Sequence, residues 1–250
     1  MAKKLTFFLK SRIPWPLAFK TVGAALAAAG LWFSDFHWLA TAIFWVFFGA
    51  TYFSESFQRR SLRYSYWFLA ISGFFLVKIG LTASWPLLLS FILLLVFLSF
   101  FFVILGLMNF FFSDRFLIFN LFQSSFFLAF FSVFFYFQPT ASPAAILGLT
   151  PCVFLLLQEF FDFNGVIWPK RRFLAAGVLS LVGTQVFWTA AFLPIGFINS
   201  AAFLALFISM ARDAFLAHFR GHFSVPYLLR QLTIFVVLVL FIFAISQWSL

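Results

Sequence analysis

The chain has 250 residues, 65% of them hydrophobic and only 9% charged, with a mean hydropathy of +1.10 and a formal net charge of +10. About a quarter of the residues in soluble domains are charged, so composition excludes a water-soluble fold, and apolar runs of about 20 residues, long enough to cross the hydrocarbon, recur along the whole length. The basic residues form short clusters between those runs and not one continuous face, which excludes a nucleic-acid partner and fits a bilayer whose inner leaflet is anionic, as in a plasma (cytoplasmic) membrane.

Taken in chain order, residues 1–13 interleave Lys3, Lys4, Lys10 and Arg12 with apolar side chains. They read as a retained interfacial segment and not as a signal peptide, because Lys10 and Arg12 interrupt the apolar stretch too soon. A first crossing is expected from Pro16 to Phe33, with an Ala-rich centre that lets a neighbouring helix approach, and Lys20 near its start snorkels toward the inner surface. A second runs from Trp38 to Ser54, and a third opens with Tyr64, Tyr66 and Trp67 at the interface. The fourth, Pro86 to Phe112, is long enough to require tilt. The fifth spans Phe116 to Phe137, the sixth Ala144 to Phe161, the seventh Phe173 to Leu193, the eighth Ser200 to Phe219 and the ninth Tyr227 to Trp248. The breaks between the third and fourth and between the seventh and eighth carry the weakest local signals. The expected fold is all-α: one polytopic helical domain over 1–250, with about nine transmembrane helices.

Cytoplasmic loops concentrate lysine and arginine. With nine crossings and the N-terminus inside, fifteen of the sixteen basic residues fall on the inner side, and Lys78 alone is outside. One helix more or fewer in the middle would flip every later cluster, so this agreement supports both the number and the direction. The C-terminus is then outside.

An acid followed two residues later by phenylalanine recurs at Glu55, Asp114, Glu159 and Asp213, at spacings of 59, 45 and 54 residues. Each spacing is the span of one helical hairpin, as in a domain of four related hairpins and a closing ninth helix. Against this, phenylalanine makes up 47 of the 250 residues, so the offset arises readily by chance. The acids also have a bland reading, pairing at the membrane edge with adjacent arginines, Asp114 with Arg115 and Asp213 with Arg212.

Intramembrane ionisable groups mark pathways when they face a cavity. On that reading Glu159 and Asp213, with Gln185 buried in the seventh helix and Asn199 after the Pro194 turn, are the candidate pathway residues. Asn109, Asn120, Gln123, Gln185 and Asn199 are expected to face protein and not lipid. Asp35 and Lys78, the only charges outside, form a candidate ion pair clamping the first hairpin to the third helix; the alternative is a Lys78 that snorkels outward.

His218 and His222 have the spacing to share a metal, but Gly221 and Pro226 argue that the helix ends there and no third ligand lies nearby. They read as interfacial histidines, and no metal or cofactor is expected. Cys152 stands alone and cannot form an intrachain disulfide. No loop carries a glycine-rich phosphate cradle, and no His-Glu-x-x-His or Gly-x-Ser-x-Gly motif is present. The function classes left open are a small-solute or lipid-like permease (or its membrane subunit), a structural or assembly subunit docking on other membrane proteins, and a membrane-embedded lipid-modifying enzyme. Convergence of the four pathway residues on one cavity would favour the first, and a flat apolar face the second.

Overall fold

A computed structural model of the chain describes residues 15–54, 62–82, 87–109, 111–137, 143–166 and 168–246. The expected interfacial segment 1–13, the first acid motif at Glu55, the loop at 138–142 and the C-terminal residues 247–250 lie outside them. Among the described residues the regular structure is nine helices: α1 (Trp15–Phe33), α2 (Trp38–Ser54), α3 (Arg63–Thr82), α4 (Leu87–Met108), α5 (Arg115–Phe137), α6 (Pro143–Phe163), α7 (Pro169–Ala191), α8 (Phe197–Phe219) and α9 (Val225–Ile245). A helix satisfies its own backbone hydrogen bonds, which is the condition for placing these apolar runs in lipid. Seven of the nine, all but α2 and α3, are long and apolar enough to span a membrane; α2 is short at 17 residues. The protein is a multi-pass integral membrane protein.

Both weakly signalled breaks are present, since α3 and α4 are separate helices and residues 192–196 part α7 from α8. The expected long fourth crossing is shorter. It ends at Met108, and the chain turns back so that the Phe111 N–H bonds the Gly106 carbonyl at 2.9 Å and the Phe112 ring lies against Gly106. A Cβ at Gly106 would stand 2.5 Å from that ring. The seventh helix starts earlier than expected, because Pro169 suits the first helical turn and Lys170 to Arg172 follow it into the helix.

The chain divides into two compact units, Met1–Phe122 and Gln123–Leu250. In the first, α1 packs on α2, α3 and α4 with its small residues Ala24 and Ala28 buried, as its Ala-rich centre implies. Phe44, Phe48, Tyr66, Phe97 and Phe101 form an aromatic core, with Phe48 and Phe101 ring centroids 5.0 Å apart. The buried Tyr66 hydroxyl donates to the Phe48 carbonyl at 2.8 Å. Lys20 donates to Ser54 Oγ at 3.1 Å, joining the start of α1 to the end of α2.

In the second unit, α6 packs on α7, α7 on α8 and α8 on α9. Small residues carry the first two interfaces. Thr150 and Thr184 hydroxyls meet at 2.9 Å between α6 and α7, and a Cβ at Gly183 would come within 3.2 Å of Ile208 of α8. Phe135 of α5 lies 4.7 Å from Phe187 of α7, while Phe203 and Phe207 of α8 meet Phe235 of α9.

Candidate functional site: a buried arginine in the second unit

Among the described residues only two charged side chains are buried, Glu159 of α6 and Arg212 of α8, each 2% exposed. Arg212 lies about 10 Å along the helix from the α8 C-terminal end, too deep for its head to be a simple edge charge. An arginine at the centre of a transmembrane helix costs about 2.5–3.5 kcal/mol by insertion scales unless the protein solvates it. Here the protein does so.

Arg212 Nη1 donates to Gln123 Oε1 at 2.8 Å, Nη2 to Ser124 Oγ at 2.8 Å and Nε to Asp213 Oδ1 at 3.3 Å. Its guanidinium carbon lies 4.5 Å from the centroid of the Phe160 ring, a cation–π contact strengthened by burial of the guanidinium. The Gln123 amide is oriented in turn, because its Nε2 donates to the Leu156 carbonyl at 2.8 Å. Ser209, one turn before Arg212, donates to Ser124 Oγ at 3.4 Å. On the other side the Tyr227 hydroxyl donates to the Asp213 carbonyl at 3.4 Å and receives a bond from Gln231 at 3.3 Å. One arginine thereby links α5, α6 and α8, and its neighbour Asp213 carries the tie on to α9.

The four candidate pathway residues have different surroundings. Glu159 is buried on the turn of α6 that supplies Leu156 and Phe160, and it is itself engaged. The Asp213 side chain is 42% exposed and paired with Arg212; this is the pairing expected from sequence, with the difference that its arginine is buried. Gln185 was expected in the interior and is exposed. The packed face of α7 is defined by Ser180, Gly183, Thr184 and Phe187, and one residue further along a helix turns a side chain by about 100°. Asn199 is half-buried and bonds the Ile195 carbonyl at 2.9 Å, closing the tight turn in which the Ile195 N–H bonds Leu193 and Gly196 has φ of 75°. Of the other polar residues expected to face protein, Gln123 does so fully, while Asn109 is exposed at the end of α4.

At the candidate Asp35–Lys78 clamp the structure shows a ring contact. Both side chains are exposed, and Phe36, next to Asp35, sets its ring edge-on against Phe74 of α3 at 5.2 Å. A ring contact thus joins the first hairpin to the third helix. Asp35 and Phe36 reach this geometry with positive φ of 46° and 61°, a backbone region that non-glycine residues seldom enter.

The described copies of the acid motif have three different environments. Asp114 caps α5 by accepting from the Leu117 N–H at 3.0 Å, Glu159 is buried inside α6, and Asp213 borders the arginine site. His218 and His222 straddle the end of α8, where Gly221 has φ of 72°.

A groove of about 360 Å³ opens beside the arginine site, lined by α5 (Ser124, Leu128), α8 (including Ala205 and Ser209) and α9 (including Leu238 and Phe241). None of the four candidate pathway residues lines it. Its two hydroxyls bond each other, and Ser124 also accepts from Arg212.

In sequence Arg212 reads as one of the basic inner-side clusters. The available signal was its position, well inside an apolar run. Comparison with protein-family models, with curated proteins and with solved structures gives no match to this chain.

Proposed function

We propose that this multi-pass membrane protein is an assembly subunit, docking through α9 on a transmembrane helix of another membrane protein. The supporting observation is a contrast among the spans. Between 28% and 44% of each of the other six is buried within the chain, but none of α9 is. Leu229, Thr233, Val236 and Leu240 follow one another along α9 at spacings of four, three and four residues, the seam spacing of paired helices, and Leu240 is 63% exposed. The exposed position of Gln185 on α7 and the apolar lining of the α5–α8–α9 groove fit this role better than a polar pathway. The N-terminus-inside orientation in a plasma (cytoplasmic) membrane belongs to the same proposal and rests on the distribution of basic residues.

The test is a photo-crosslinking amino acid at Leu240, compared with one at Leu181, which is equally exposed on α7. The expected result is one protein adduct of defined mass from Leu240 and lipid adducts from Leu181. Lipid adducts from both positions would remove the docking role, and an adduct with a second copy of this chain would replace the mixed assembly by a homo-oligomer.

A further inference from the structure

The loops at one end of the second unit are built alike and joined. α6 and α8 both close with a left-handed glycine. The Gly165 and Val166 N–H groups bond the Asp162 and Phe161 carbonyls, and those of Gly221 and His222 bond the His218 and Ala217 carbonyls. Arg220 Nη2 then donates to the Asn164 carbonyl at 3.1 Å, tying the two loops together. α7 and α9 begin at this same end. Lys170, Arg171, Arg220 and Arg230 are all exposed here, whereas the two nearby acids, Asp162 and Asp213, are already paired with Arg172 and Arg212. The end is therefore strongly cationic.

Arg230, Ile234, Leu238 and Phe241 share one face of α9, and the last two line the groove. From Arg230 to those groove residues is 8–11 residues, about 12–17 Å along the helix, against a single leaflet depth of about 15 Å. The groove hydroxyls are satisfied within the protein, so what remains to be covered is apolar. A methylene chain descending from the headgroup level spans that distance and brings no polar group into the groove.

We infer that the α5–α8–α9 groove holds one acyl chain of an anionic phospholipid whose phosphate sits at Arg230 on the cationic end. The test uses the full chain purified in mild detergent, mixed with equal amounts of phosphatidylglycerol and phosphatidylcholine, and counts retained lipids by native mass spectrometry. One phosphatidylglycerol per chain is expected to be held in preference to phosphatidylcholine. Arg230→Gln, an exposed change, should lower phosphatidylglycerol retention about fivefold, the effect of one basic side chain near an anionic headgroup, and leave phosphatidylcholine unaffected. Leu238→Trp fills the groove and should abolish retention of both, while Leu181→Trp adds the same bulk to an exposed position of α7, away from the groove, and should retain them. Equal retention of the two lipids by the wild-type chain, retention unchanged by Arg230→Gln, or equal loss in the two tryptophan variants would each overturn the inference.

Discussion

The units Met1–Phe122 and Gln123–Leu250 are built from similar sequences, yet the described residues bury different chemistry in each. The first unit buries mainly rings, with Thr51, Ser65 and the Tyr66 hydroxyl among its buried polar groups. The second buries Gln123, Glu159, Asn164, Ser180, Thr184, Ser200 and Arg212. In lipid, helices gain little from hydrophobic burial alone, so association rests on close packing and on interhelical hydrogen bonds. The first unit relies on packing, and complementary ring shapes such as Phe48 on Phe101 set its register. The second adds a polar centre that accepts only one arrangement of α5, α6 and α8, because any slip leaves a guanidinium without its partners.

The sharpest way to break this contrast is Arg212→Ala. Removing one partner of a buried charged network costs about 3–5 kcal/mol, because Gln123, Ser124 and Asp213 lose their common donor, and the denaturant midpoint of the purified chain in mild detergent should fall accordingly. Gln123→Leu removes one charge-assisted bond and frees the Leu156 carbonyl, at a cost of about 1.5–3 kcal/mol by the same measurement. In the first unit the comparable change is smaller. Tyr66→Phe keeps the ring and deletes its bond to Phe48, so a loss of about 0.5–1.5 kcal/mol is expected in thermal unfolding. Gln185→Leu should change stability by less than about 0.5 kcal/mol, as for an exposed side chain outside any network. A large loss there would mean that α7 packs on something beyond this chain.

Much of the architecture was legible because lipid imposes a length rule on apolar segments. The Trp38–Ser54 helix agrees at both ends, and the others agree within a few residues. The exceptions have local causes: the glycine at 106 lets Phe112 fold back and shorten α4, and proline at 169 starts α7 early. The site was less legible. Composition identified Gln123 as a polar residue that must face protein, but periodicity in an all-apolar helix has no contrast from which to read a face, so Gln185 was placed inside when it lies outside. Arg212 and Asp213 are adjacent in sequence, which suggested an edge pair. Only the approach of α5, 89 residues away, turns that pair into the centre of the unit. The Phe36–Phe74 contact had no signal for a related reason, since charge scarcity says nothing about the ring next to Asp35.

The proposed assembly role is tested most directly by the mass of the tagged chain extracted in mild detergent, measured for the wild type and for Val236→Trp/Leu240→Trp, which adds bulk to the α9 seam without adding charge. A stoichiometric complex with a second membrane protein is predicted for the wild type, and a lone chain of 28.8 kDa for the double variant. A wild-type chain that runs alone, or a complex that survives the double variant intact, would contradict docking through α9.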